Sequence, residues 1–160
     1  MSEVSLIVLA AGMGSRMNSD LPKVLHPLGA APLLHHAMQV GRALMPARTV
    51  VVAGHGADLV TKAAHAFDPE AEVVLQEEQL GTAHAVSMAA PLMAGAAGDA
   101  VVLYGDTPFI TPETLEAMQA ARARHAVVVL GFHGTGRYGR LIVSGRGLER
   151  IVEYKDADAA

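Results

Sequence analysis

Short, uninterrupted apolar runs rich in valine recur along the chain and predict buried β-strands. Each run is apolar at successive positions rather than at alternate ones, so both faces of the strand would be covered. This pattern is typical of a parallel sheet with helices packed on both sides. The predicted strands are Val4–Ala11, Thr49–Ala53, Glu72–Leu75, Ala100–Tyr104 and Ala126–Leu130.

Amphipathic segments lie between these runs and predict helices. One opens at Pro32, a second covers Ala57–Ala66, and a third covers Thr82–Met93, which Pro91 ends or kinks. A fourth begins at Pro112 behind a Thr111 cap. The alternation of strand and helix predicts a doubly wound α/β layer sandwich. After it, the segments 140–143 and 148–152 predict a β-hairpin.

Composition narrows the class of protein. The 160 residues are 51% hydrophobic and 18% charged, which excludes a disordered chain and suits one domain, residues 1–160. The net charge of -4 gives no basic surplus for nucleic acid or for an anionic membrane surface. There is no cysteine, and the first apolar run is too short for a signal peptide or a membrane span. We therefore expect a cytoplasmic protein with no nucleic acid or membrane partner.

The loop after the first strand carries the clearest chemical signal. It reads LAAGMGSRMNSDLPKVL from Leu9 to Leu25. Gly12 and Gly14 expose backbone N–H groups that can bind an anion, and Arg16 and Lys23 add positive charge. A dinucleotide fingerprint is a poor match, because Met17 occupies its third glycine position and the second strand ends without an acidic residue. A P-loop pattern is absent as well. Two interpretations of the loop therefore stay open, a binding site for a triphosphate or a tight turn with solvated charges.

The motifs LAAGMGSRM and LPKVL closely resemble the sugar nucleotidyltransferases. Four further segments match in order, namely VLQEEQLGTAHAV, LYGDTPFI, RYGRLIV and IVEYKDA. Within that family the chain is most similar to the N-terminal uridyltransferase domain of bifunctional N-acetylglucosamine-1-phosphate uridyltransferase/glucosamine-1-phosphate acetyltransferases. The resemblance implies a Rossmann-like three-layer α/β/α sandwich with a mostly parallel mixed sheet, truncated at its C-terminal side.

The reaction that the resemblance implies is attack of N-acetylglucosamine 1-phosphate on the α-phosphate of UTP, with release of pyrophosphate. Such transfers depend on positioning and electrostatics rather than on a protein nucleophile. By resemblance, Arg16 would grip the leaving pyrophosphate and Lys23 would stabilise charge at the α-phosphate. The nucleotide would be contacted by the loop residues Leu9, Ala10, Ala11, Gly12 and Gly14.

Asp106 directly follows the fourth predicted strand, at the carboxyl edge of the sheet. Local sequence leaves two interpretations open, a Mg²⁺ ligand or a turn aspartate before Thr107 and Pro108. The resemblance favours the metal ligand, with Mg²⁺ as the cofactor. Tyr104 and Gly105, immediately before it, are assigned to the nucleotide site.

The remaining expected contacts belong to the base and the sugar. The resemblance assigns Gln76, Gly81 and Thr82 to uracil, and a glutamine amide suits its imide edge. An ordinary polar strand end and helix start is the alternative. Gly139 and Glu153 match the sugar-contact positions, although without the resemblance both would be interpreted as structural.

Two residues that the family places downstream, one completing the metal site and one binding the sugar, have no counterpart in the sequence. The acetyltransferase half of the family, through which we would expect an oligomer to form, also has no counterpart in the sequence. We therefore expect a chain that folds and binds UTP but transfers poorly. Rival hypotheses are a sugar nucleotidyltransferase with another nucleotide or sugar, and a non-catalytic nucleotide-binding module.

Overall fold

The computed structural model describes residues 3–14, 17, 19–145, 147–152 and 154. They fall into two compact units, Met1–Gln119 and Ala120–Ala160. In chain order the strands are β1 (Val4–Ala10), β2 (Pro27–Leu28), β3 (Ala31–Pro32), β4 (Arg48–Ala53), β5 (Glu72–Leu75), β6 (Asp99–Tyr104), β7 (Arg140–Ser144) and β8 (Gly147–Val152). The α-helices are α1 (Leu33–Arg42), α2 (Ala57–Phe67), α3 (Thr82–Met88), α4 (Ala90–Met93) and α5 (Pro112–Arg122), and a 3-10 helix covers Lys23–Leu25.

A four-stranded sheet forms the centre of the first unit. Its strand order is β5-β4-β1-β6, and every neighbouring pair is parallel. Leu9 of β1 pairs with Val52 of β4 and with Tyr104 of β6, so the strands end at nearly the same level. The loops that follow them therefore meet at one carboxyl edge, where open parallel sheets bind ligands.

Helices pack on both faces of this sheet and bury the inner strands β1 and β4, as the continuous apolar runs predict, whereas alternate residues of the edge strand β6 are exposed. Successive residues of a strand point to opposite faces. Leu6 and Val8 pack in one core with residues of α1, α2 and α5, whereas Ile7 and Leu9 pack in the other with residues of α3 and α4. The chain thus has the predicted three-layer α/β/α arrangement, built largely from valine, leucine and alanine.

Most predicted elements are confirmed to within a residue or two. The helix predicted over 82–93 is interrupted at Ala89, and Pro91 lies in the first turn of the second piece. Thr111 precedes α5, and its Oγ1 accepts a hydrogen bond from the Thr114 N–H at 3.4 Å. In the second unit β7 and β8 pair antiparallel, as expected for the hairpin.

The prediction of a strand over Ala126–Leu130 is wrong. These residues form no strand, and Val127 is 73% exposed. A β-branched run favours an extended backbone, but a strand also needs a hydrogen-bonding neighbour. Among the described residues, none pairs with this segment. The described strands of the central sheet are all parallel, whereas the resemblance implies a mostly parallel mixed sheet. Antiparallel pairing is found instead in the separate hairpins β2–β3 and β7–β8.

None of the helices in the described part of the chain combines the length and the apolar character needed to cross a bilayer.

Candidate functional site

A cavity of ≈ 250 Å³ opens at the carboxyl edge of the central sheet. Its walls come from the loop after β1, the 3-10 helix, the segment between β5 and α3, and the end of β6. The lining residues are Leu9, Ala11, Gly12, Lys23, Val24, Gln76, Gln79, Gly81, Thr82, Ala85, Tyr104 and Asp106.

The loop after β1 forms one wall of the cavity, to which Ala11 and Gly12 contribute. Among the described residues, no heavy atom would lie within 4 Å of a Cβ atom added at Gly12, so none of their contacts requires glycine at this position. The neighbouring Ala11 carbonyl accepts a hydrogen bond of 2.8 Å from Gln79 Nε2. That bond ties the loop to the segment before α3 and holds this wall in place.

Gly14 and Lys23 approach each other too closely for a larger residue at position 14. Gly14 has φ +61°, and a Cβ built on it would lie 2.8 Å from the Lys23 Cβ. Left-handed backbone and close approach both favour glycine. Behind Lys23, Val24 is buried in the core, so the start of the 3-10 helix is anchored.

Lys23 Nζ and Asp106 Oδ2 form an ion pair of 2.6 Å at the cavity wall. The side chains are 42% and 29% exposed respectively, so both charges can reach a ligand. Asp106 is placed by the turn after β6, in which the Gly105 N–H donates to the Leu9 carbonyl at 2.8 Å. The backbone N–H and the hydroxyl of Thr107 both donate to the Tyr104 carbonyl and close that turn, whereas the Asp106 carboxylate faces Lys23.

The opposite part of the cavity is built around Gln76, which is only 4% exposed. Its backbone N–H donates to the Ala53 carbonyl at 2.7 Å and so continues the pairing of β5 with β4. Its side-chain Nε2 donates to the Gly81 carbonyl at 3.2 Å and contacts His84 Nδ1 at 3.0 Å. Gly81 has φ +99°, and α3 begins at Thr82 immediately after it.

The structure brings most of the predicted site residues together. The ones that line the cavity are Leu9, Ala11, Gly12, Lys23, Gln76, Gly81, Thr82, Tyr104 and Asp106. Ala10, Gly14 and Gly105 lie beside the lining, with the Ala10 side chain in the core. Gly139 is an exposed residue of the second unit. Arg16 and Glu153 lie outside the described residues, so their predicted roles stay predictions.

Sequence reasoning missed three lining residues, Val24, Gln79 and Ala85, and the partner of Gln76, His84. Gln79 and His84 lie within the segment QLGTAHA, but no spacing rule singles them out. Their roles depend on where their side-chain nitrogens point, and that direction is set by the turn before α3.

Among the described residues of the lining, Lys23 and Asp106 carry the formal charges. No group of three or more His, Asp or Glu side chains converges on one point in the described part of the chain. Asp106 is therefore the candidate metal ligand in the cavity. The arrangement can present one cation and one carboxylate to a polyanion, and an amide to a polar ring.

Comparison with known proteins finds related sequences over nearly the whole chain. Residues 6–159 match the model of the MobA-like NTP transferase domain. The chain is 72% identical over 156 residues to the bifunctional protein GlmU of Cereibacter sphaeroides, covering 96% of this chain and 34% of that protein. The chain thus spans about a third of the length of this curated relative.

Two solved structures are similar in fold. UDP-glucose pyrophosphorylase, complexed with UDP-glucose, superposes with a TM-score of 0.73 at 18% identity, over 98% of this chain and 72% of that chain. Rv0371C of Mycobacterium tuberculosis H37Rv, in complex with manganese, gives a TM-score of 0.61 at 25% identity, over 75% of this chain and 59% of that chain. Because the family model matches nearly the whole sequence, the chain belongs to the MobA-like NTP transferase domain family.

Proposed function

We propose that this chain binds UTP and transfers its uridylyl group to N-acetylglucosamine 1-phosphate, giving UDP-N-acetylglucosamine and pyrophosphate. The observation that carries the proposal is the composition of one cavity. It joins the glycine wall, Lys23 and Asp106 to the amide of Gln76 and the start of α3. A nucleoside triphosphate needs these two kinds of surface, a charged one for phosphates and a polar one for the base.

The relatives support the choice of nucleotide and sugar. The bifunctional GlmU proteins that match this chain share 58% to 72% identity with it over nearly its whole length. This identity supports a uridyltransferase activity for the chain. The product would supply cell-wall precursor synthesis, and a cytoplasmic location is part of this proposal.

In the proposed reaction a phosphate oxygen of the sugar phosphate attacks the α-phosphorus of UTP. The bond from that phosphorus to the bridging oxygen of pyrophosphate breaks on the opposite side. Lys23 would stabilise the negative charge that builds at the α-phosphate. Backbone N–H groups at Gly12 and Gly14 would hold the phosphates, because glycine-rich loops form anion sites of this kind. The space around Gly12 is open among the described residues. Arg16 is assigned to the leaving pyrophosphate.

Asp106 fits the role of a magnesium ligand. Mg²⁺ is commonly held by one or two carboxylates together with substrate phosphates and water, so Asp106 beside the phosphate wall would supply one of its ligands. When bound, the ion would offset the repulsion between the phosphates. The manganese complex of the structural relative Rv0371C supports a divalent cation in this fold. Lys23, now paired with Asp106, would then be free to contact a phosphate.

A second candidate is a nucleotidyltransferase that uses another nucleotide or another sugar phosphate. The family as a whole and the fold shared with UDP-glucose pyrophosphorylase favour this alternative over unrelated activities. A third is a module that binds the nucleotide without transferring it.

Calorimetric titration of the chain with UTP, CTP, GTP and ATP in the presence of Mg²⁺ tests the nucleotide assignment. We expect UTP to bind most tightly. Tightest binding of a purine nucleotide would contradict the assignment. Formation of UDP-N-acetylglucosamine from UTP and N-acetylglucosamine 1-phosphate then tests the transfer, and tight UTP binding without any product would favour the binding module.

A further inference from the structure

Two partners of different kinds hold the side-chain amide of Gln76. Nε2 lies 3.2 Å from the Gly81 carbonyl oxygen and 3.0 Å from His84 Nδ1. A carbonyl oxygen can only accept a hydrogen bond, so the Gly81 contact determines which end of the amide is the nitrogen. The orientation of the amide therefore follows from the backbone of the turn before α3.

The contact with His84 then has only one consistent form. One hydrogen of Nε2 points to Gly81, and the other points to His84 Nδ1. Nδ1 must accept it with its lone pair, so the ring hydrogen of the neutral imidazole is on Nε2. With both amide hydrogens engaged, the Gln76 side chain is held in one orientation.

The free end of that amide is its oxygen. Gln76 lines the cavity, and among the described residues none donates a hydrogen bond to its Oε1. Gln76 thus presents a hydrogen-bond acceptor, and not a donor, to the cavity. The N3 position of uracil carries a hydrogen and matches this acceptor, whereas the N3 of cytosine carries a lone pair and is repelled by it.

We propose that His84 is a positioning residue that locks Gln76 with its oxygen toward the base, so that the site prefers uracil over cytosine. This inference rests on the proposed function, because it takes the cavity to be a nucleotide site. His84 itself is absent from the cavity lining and acts only through Gln76. The imidazole thus takes part in base selection without touching the base.

The first test needs no nucleotide. Long-range ¹H–¹⁵N spectra of the ligand-free chain in mildly alkaline buffer report which ring nitrogen of each histidine carries the hydrogen. We expect the hydrogen of His84 on Nε2. A hydrogen on Nδ1 would overturn the inference, even in a chain that prefers UTP.

The second test compares two variants by titration with UTP and with CTP. His84→Leu removes the acceptor, and we expect the preference for UTP over CTP to fall about tenfold, the size of one hydrogen bond's contribution. His84→Asn keeps an oxygen acceptor near the position of Nδ1 and should retain the preference within about twofold. His36→Leu is the matched control, because His36 Nε2 contacts the Leu28 carbonyl away from the cavity lining.

The outcomes separate the inference from the proposed function. A wild-type chain without preference for UTP overturns the proposed function, whatever the ring hydrogen of His84. A UTP preference that survives His84→Leu unchanged overturns the inference and leaves the proposed function standing. Loss of the preference in His84→Leu with retention in His84→Asn supports the inference. Thermal unfolding of each variant confirms that the titrated chain is folded.

Discussion

Lys23 and Asp106 are 83 positions apart in the chain, yet their charged groups lie 2.6 Å apart. The sequence predicts this meeting only indirectly, because both residues follow β-strands of one parallel sheet and must come to its carboxyl edge. Their partial exposure leaves the pair weakly stabilising by itself. Its value lies in presenting a cation and a carboxylate to a ligand at the same place.

Replacement of Lys23 tests that role. Lys23→Ala should weaken UTP binding by roughly ten- to a hundredfold, because a hydrogen bond to a charged group contributes about 1.5–3 kcal/mol. Calorimetric titration measures the change. Lys62→Ala removes a positive charge from the exposed side of α2 and serves as the control. Equal losses in the two variants would mean that Lys23 acts only through net charge.

Gly14 allows a second test at the residue scale. Gly14 and Gly29 both have left-handed backbones, with φ +61° and +63°, but within the described part of the chain only Gly14 has a close neighbour, Lys23. Gly29→Ala should cost about 1 kcal/mol of unfolding free energy, and Gly14→Ala roughly 2–3 kcal/mol because the Lys23 Cβ must also move. Urea unfolding gives both values. A similar loss of unfolding free energy in the two variants would show that the close approach of Gly14 to Lys23 does not affect stability.

At the scale of elements, apolar patterning predicts the strands of the central sheet. The inner strands β1 and β4 are buried on both faces, as the pattern implies, whereas the edge strands β5 and β6 are partly exposed. The same rule fails at 126–130, since an apolar β-branched run does not reveal whether a neighbouring strand exists. The short hairpin of β2 and β3 escapes prediction because two-residue strands have no readable period. The orientations of Gln79 and His84 escape it too, because they depend on a turn held at Gly81.

The start of α5 gives a prediction at this scale. Thr111 Oγ1 accepts from the Thr114 N–H, so Thr111→Ala should lower the unfolding free energy by about 1 kcal/mol and Thr111→Ser should restore it. Thermal or urea unfolding measures both changes. No loss in Thr111→Ala would mean that this cap is energetically neutral.

The same substitution should change the titration of Glu113. Hydrogen bonds from the Glu113 backbone N–H and from Thr111 lower the pKa of the Glu113 carboxyl. The lowered pKa adds stability above the unfolded-state pKa, and this is lost as the pH falls through the folded-state pKa. In Thr111→Ala the pKa of Glu113 should therefore rise toward its usual value, which a ¹³C NMR titration detects. An unchanged pKa would remove the Thr111 contact as a cause.

At the scale of the whole molecule, parallel strands that end at one level bring together segments that lie far apart in the chain. The glycine loop, the 3-10 helix, the turn before α3 and the turn after β6 form a single cavity because β1, β4, β5 and β6 share one register. A sequence can predict such an edge from topology alone. It cannot predict the side-chain hydrogen bonds that shape it, because these depend on exact turn geometry.

The proposed nucleotide site is this cavity, with the phosphates at Gly12 and Lys23 and the base at Gln76 and Thr82. The most direct measurement is a ¹H–¹⁵N spectrum of the chain titrated with UTP and Mg²⁺. We predict that the backbone amides of these four residues shift together and saturably, while those of Gly29 and Gly95 stay in place. Shifts confined to other surfaces, or phosphate-side shifts without any change at Gln76 and Thr82, would contradict the account.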